Sequence, residues 1–284
     1  MLGRTLVVGL LACSPHGESD AGDGAPPWEL RERSWRTDPV WHDGLAERCV
    51  YDATRTIYGV ERVYLATAYT DLERADERST VKTEEPGGVE VFKHHWSERV
   101  PTERYDYDFS TACYVRSADL ACFKLTAATQ EDCGASFKEV WRAGRGYEYF
   151  ESVYFPGAGR RSGTLDGGAV FEDALSLVLR DFPFDEERAA LALSVIPSQK
   201  DTRAVRFDPL EMEARSGARE TLELPCGSVP AVRVDLVAAG EVRARYWFAL
   251  DGGAPWLHAL VRYEGPGGVR YSLRSIERTA YWQR

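Results

Sequence analysis

The sequence predicts a mainly β fold, a strongly curved antiparallel sheet or open half-barrel with one central covering helix at about 169–182. Three observations carry this. Apolar and polar residues alternate with a period of two through most of the chain, clusters of Gly, Pro and Asp interrupt the runs, and only one segment switches to helical spacing. A sheet with one apolar face has to cover it. One helix cannot cover a dozen strands, so the sheet is expected to curl on itself.

Residues 1–12 read as a lipoprotein signal peptide. Arg4 supplies one positive charge, an apolar run follows, and Leu10-Leu11-Ala12-Cys13 resembles a lipobox. The run is shorter than the roughly 20 residues a transmembrane helix needs. Cys13 is then the lipidation site and the membrane anchor, where stable attachment takes more than one acyl chain. Residues 13–27 form the acylated cysteine and a polar, Gly/Pro-rich tether. Ser14 stands where an Asp would favour retention in the inner membrane, so the resemblance implies an outer-membrane lipoprotein facing the periplasm. Residues 28–284 remain for a single β-rich domain.

Strands are expected at Cys49–Tyr58, Val60–Thr70, Val89–Trp96, Tyr105–Val115, Leu120–Thr129, Ala135–Arg142 and Tyr147–Tyr154, with a charged loop over Leu72–Pro86. Phe171, Ala174, Leu175, Val178, Leu179 and Phe182 fall on one helical face, with Glu172, Asp173, Ser176 and Arg180 on the expected wet side, and Pro183 ends the helix. Gly157–Gly168 reads as a loop within the domain. Residues 204–282 read as a meander of about six strands. Val232, Val234 and Leu236 oppose Arg233 and Asp235, and Tyr246 and Phe248 alternate with Arg245 and Trp247. Leu257, Val261 and Tyr263 form one face, and Tyr271 and Leu273 oppose Arg270 and Arg274. The inner face of this meander, Tyr246, Phe248, Leu257, Val261, Tyr263 and Tyr271, is the expected ligand-binding surface.

The chain carries a formal net charge of −10. That argues against nucleic acid as a partner, since phosphate binding needs basic patches. No phosphate-cradling loop, nucleophile elbow, zinc helix or dinucleotide fingerprint is present, so no cofactor is implied. His94 and His95 are adjacent on a strand and point to opposite faces, so they cannot share a metal, whereas Trp96 and Glu98 follow His94's side. Asp106 and Asp108 share a strand face opposite Tyr105, Tyr107 and Phe109. They read as solvent-facing acids. Cys133, in a polar turn, is the candidate thiol nucleophile. Export permits disulfides. A turn centred on Ser117-Ala118 places Cys113 opposite Cys122, although the apolar pattern prefers a different register. Cys133–Cys226 and Cys49–Cys226 remain open as alternatives.

Trp41-His42-Asp43-Gly44-Leu45-Ala46-Glu47, Tyr58-Gly59, Arg62, Gln130-Glu131, Cys133-Gly134 and Phe137 resemble a family of exported bacterial proteins with no established activity. The likeness runs over about residues 41–155 and implies no catalytic residues. Some members are labelled septum-formation inhibitors of the Maf type. That label requires a Ser followed closely by paired arginines, and Ser14-Pro15-His16-Gly17 has none. The strand-rich C-terminal half is similar in pattern to lipoprotein carriers of the Lol type, curved half-barrels with a helical lid over an apolar cavity. This is an analogy of fold. The leading expectation is a lipid-anchored envelope protein, leaning away from enzymatic activity, that binds an apolar or lipid-like ligand or a protein partner in a curved sheet. The alternatives are an envelope hydrolase using Cys133 or a carboxylate, and a structural lipoprotein with a filled core. Mass measurement of the protein extracted from membranes should find a first residue at Cys13 bearing acyl chains; retention of Met1 without an acyl adduct would contradict the anchor.

Overall fold

Fifteen strands join into one sheet in the order β8-β7-β6-β5-β4-β3-β2-β1-β15-β14-β13-β12-β11-β10-β9. They are β1 (Ala46–Ile57), β2 (Val60–Ala75), β3 (Val89–Val100), β4 (Tyr107–Arg116), β5 (Cys122–Glu131), β6 (Gly134–Ala143), β7 (Gly146–Val153), β8 (Gly159–Leu165), β9 (Val170–Phe171), β10 (Ala190–Ile196), β11 (Leu210–Leu224), β12 (Gly227–Ala238), β13 (Glu241–Ala249), β14 (Leu260–Glu264) and β15 (Arg270–Thr279). The computed structural model describes residues 24–184 and 189–283. The expected signal peptide and Cys13 lie outside the described residues. Every neighbouring pair is antiparallel except the short parallel pairing of β9 with β10.

Chain connectivity forces the curvature. β8 and β9 are opposite edges of the sheet, yet Leu165 and Val170 are five residues apart. Five residues span at most about 17 Å. Fifteen flat strands would extend about 65–70 Å. The edges can be bridged only if the sheet rolls until they nearly meet, and it stays unclosed.

The alternation seen in the sequence sets which face turns inward. Cys49, Tyr51 and Ala53 of β1, Val232, Val234 and Leu236 of β12, and Tyr271 and Leu273 of β15 are all buried. The amphipathic segment packs among them. After β9, a 3₁₀ turn (Glu172–Ala174) leads into α1 (Leu175–Val178) and a second 3₁₀ turn (Leu179–Asp181). The helical stretch is therefore shorter than the expected 169–182, with its first residues used as the edge strand. Its polar side is not wet. Ser176, Arg180 and Asp181 are buried, because the segment sits inside the roll and not on its surface. Arg180 is compensated there by a two-pronged pair with Glu47 of β1, with Nη1 donating to Oε2 at 2.9 Å and Nη2 to Oε1 at 2.7 Å. Trp35 and Trp41, on the 3₁₀ turns before β1, pack on Phe92 of β3, and Trp28 packs against Phe182. Gly24 and Pro26 are already buried, so packing begins inside the stretch read as tether.

The strand assignments change in four places. Residues 204–282 hold five strands, β2 runs on to Ala75, into the segment expected as a loop, β8 (Gly159–Leu165) occupies the stretch Gly157–Gly168 that also read as a loop, and β10 had no expected counterpart. The candidate disulfide is also corrected. A register shift after Tyr114 sets Cys113 opposite Leu125 and Cys122 opposite Val115, and both thiols are free. This is the direction the apolar pattern favoured. Cys49, Cys133 and Cys226 are free as well.

Glu47 and Arg180 side chains are each 1% exposed. Removing one member of such a pair strands a buried charge. Arg180→Met should lower unfolding free energy by about 3–5 kcal/mol in urea titration; a loss below about 1 kcal/mol would show that the pair is not buried as described.

Candidate functional site: a polar-footed aromatic cavity

The concave face is not completely filled. A cavity of about 570 Å³ remains between the helical segment, the loop after β10, and the ends of β1, β3, β4 and β13–β15. Its size lies within the roughly 300–1,000 Å³ usual for small-molecule sites.

Of the six residues expected on the binding face, Tyr246, Tyr263 and Tyr271 line this cavity. Phe248, Leu257 and Val261 do not; each is fully buried in the core. A bulge explains part of the difference. β13 pairs Trp247 with Arg262 but Phe248 with Leu260, leaving Val261 as the extra residue. The two-residue phase from Leu257 to Tyr263 breaks there, and Leu260 reaches the cavity instead. Leu257 precedes the strand altogether.

Aromatic rings form a continuous wall. Trp96 stacks on Tyr271 at 5.0 Å, Tyr271 on Tyr263 at 5.5 Å, and Tyr263 meets Tyr246 at 4.8 Å. Below this wall lies Glu98, whose residue is 2% exposed. Tyr64 Oη donates to Glu98 Oε2 at 2.7 Å and Tyr271 Oη to Oε1 at 2.8 Å. Lys200 Nζ donates to Oε1, and Arg55 Nη2 lies 3.9 Å from Oε2. Burial pushes the carboxyl up, but Lys200, Arg55 and these hydrogen bonds outweigh it and hold the pKa at about 2.

Lys200 belongs to a strap that crosses the concave face. Lys138 of β6, itself fully buried, donates from Nζ to the carbonyls of Gln199 (2.9 Å), Asp201 (3.2 Å) and Arg203 (2.7 Å). Asp173 accepts from Ser198 Oγ and from the Gln199 amide at 2.7 Å, and Glu172 accepts from the Ser198 amide at 3.2 Å. Burial raises both acids above their ordinary range. The polar side of the helical segment is thus the anchor of the strap.

Ser176 also reaches the cavity wall, and its Oγ is 2.9 Å from His94 Nε2. The pair looks like a nucleophile and its base. Trp96 Nε1, which can only donate, gives a hydrogen bond to the same His94 nitrogen at 2.8 Å. Nε2 is therefore an acceptor, and Nδ1 carries the proton toward Thr70 Oγ1 at 2.8 Å. Thr70 passes the chain to Glu47 at 3.5 Å. An imidazole whose acceptor nitrogen already holds an indole N–H, in a site where burial and then Arg180 hold its pKa well below 6.5, is a poor proton acceptor. The arrangement is wiring between the cavity wall and the Glu47–Arg180 pair.

The groups proposed for hydrolysis do not come together. Cys133 is exposed outside the cavity, with Tyr105 Oη 3.1 Å from Sγ. His42, His95 and His258 do not line the cavity either. His95 contacts Ser110, and His258 contacts the Ala249 carbonyl. Asp106 and Asp108 face outward beside Arg99, as their alternation implies. Among the described residues, no group of acids, histidines and cysteines is arranged to hold a metal, and no helix is long and apolar enough to cross a membrane. Compared with known proteins, the chain matches no family model, no curated protein and no solved structure.

Sequence reasoning missed Arg55, Thr111, Lys200, Glu172 and Asp173 as site residues. A signal existed for two of them. Arg55 is in phase with the inward row Cys49, Tyr51 and Ala53, and Thr111 with Phe109 and Cys113.

His94 supplies a pH test. In the unfolded chain its imidazole takes up a proton near pH 6.5, and in the fold it does not. The unfolded state therefore binds more protons below that pH, and stability falls as pH drops from about 7 to 5. Asp71, raised by burial on the other face, works in the opposite direction. The readout is thus the difference between wild type and His94→Gln. Wild type should lose up to about 1.4 kcal/mol more per pH unit in that window; parallel profiles would contradict the buried neutral imidazole.

Proposed function

We propose that the protein is a lipid-anchored envelope protein, facing the periplasm, that holds an amphiphilic ligand in the cavity of its curved sheet. The observation that carries this reading is the aromatic-lined hollow of about 570 Å³ on a concave face that is otherwise packed. A protein that needs only a filled core has no use for such a hollow, since interior space forfeits packing contacts. The wall offers wide aromatic area beside polar and charged groups, several of them fixed by hydrogen bonds, and such a combination gives small-molecule sites affinity and specificity. The apolar ligand expected from the strand pattern becomes an amphiphile once Glu98, Lys200 and Arg55 are counted. The anchor at Cys13 agrees with a role at a membrane, where amphiphiles are abundant.

Displacement fluorimetry with a fluorescent fatty acid tests the reading. Saturable binding is expected, with energy transfer from Trp96, and native mass spectrometry of the extracted protein should show a bound amphiphile. Absence of both would overturn the binding role.

A further inference from the structure

The geometry points to a recognition subsite for the head group of that ligand: Arg55, Lys200 and Thr111 together take a single anionic oxygen group, a carboxylate. This rests on the binding role proposed above and names the ligand's chemistry.

Three observations converge on one corner of the cavity. The Arg55 guanidinium lies 4.1 Å over the Phe109 ring and makes no hydrogen bond to any described residue, although its side chain is only 12% exposed. Its one ionic contact among the described residues is the 3.9 Å approach to Glu98. Lys200 Nζ lies over Trp96 and Tyr271, at 5.6 and 5.5 Å. Of its three N–H groups, one goes to Glu98 and one to Tyr271 Oη at 3.0 Å. The third has no acceptor among the described residues. Thr111, which is 2% exposed, lines the same cavity, and its Oγ1 has no hydrogen-bond partner among the described residues. Strand register places it there: Thr111 pairs with Trp96, and Phe109 pairs with Glu98. A buried hydroxyl left unpaired costs stability, so such groups ordinarily have a partner.

The charge count selects the class. Arg55 and Lys200 are two cations that share one carboxylate, Glu98, buried behind them, which leaves one positive charge at this part of the cavity, while Glu131 and Arg203, which also line it, carry opposite charges and cancel in the count. Glu172 and Asp173 are engaged at the other side by Arg243 and the strap. Asp201, which also acts on Arg55, is exposed, where water and salt screen it. One uncompensated charge, an arginine fork and a hydroxyl donor match a monoanionic carboxylate. A phosphate monoester would bring more charge than the corner balances.

The test compares dodecanoate, its methyl ester, dodecyl phosphate and dodecyltrimethylammonium as competitors of the fluorescent probe. Dodecanoate should bind at least tenfold tighter than the other three. Arg55→Met should weaken dodecanoate about tenfold and leave the ester unchanged. Thr111→Val keeps shape and charge, so it guards against misfolding. It should weaken dodecanoate severalfold while leaving the ligand-free melting temperature equal or higher. Equal affinity of acid and ester, tighter binding of the phosphate or the cation, or variants that leave the acid–ester ratio unchanged would overturn the head-group assignment and leave the binding role standing. Failure of all four to bind would overturn both.

Discussion

The structure depends on one constraint: a fifteen-stranded sheet that rolls without closing has to fill its own interior. The four-residue link from β8 to β9 brings opposite edges together, and the concave face this creates is too large for the inward side chains alone. The chain supplies the missing material from its middle. Residues 170–184 enter the roll as an edge strand and a helical segment, and residues 197–205 cross it as a strap. The cavity is the part of the interior that these two pieces leave open.

Filling an interior with backbone brings polar groups inside, and each has to be matched. Arg180 meets Glu47, Ser198 and Gln199 meet Asp173, and three strap carbonyls meet Lys138. Lys200 and Arg55 meet Glu98. These pairs contribute little as ion pairs, since desolvation offsets attraction. Their consequence is positional: they fix where helix and strap sit, and hence the shape of the hollow. Arg55, Lys200 and Thr111, each only partly matched, line it.

Much of this fold was legible. Alternation identifies an inward row wherever a strand is regular, as at Val232, Val234 and Leu236 or at His94, Trp96 and Glu98. It fails at bulges, because one extra residue inverts the phase. Val261 is such a residue, and the shift after Tyr114 is why Cys113 and Cys122 are not opposite each other. The helical stripe from Phe171 to Phe182 was equally clear, but a stripe reports which side is apolar and not what the polar side meets. Glu172, Asp173, Ser176 and Arg180 carry the same spacing whether they face water or a strap. The strap itself has no periodicity. Its one trace is compositional: in a chain with only five lysines, two of them, Lys138 and Lys200, point into the interior.

Hydrogen exchange read by mass spectrometry tests the filling of the roll most directly. Amides of 172–182 should exchange as slowly as those of β1 and β15, and amides of 198–201 more slowly than those of the exposed loop at 76–88. Exchange of both segments at the rate of that loop would mean that neither is held inside, and the cavity, its polar floor and the binding role would have no structural basis.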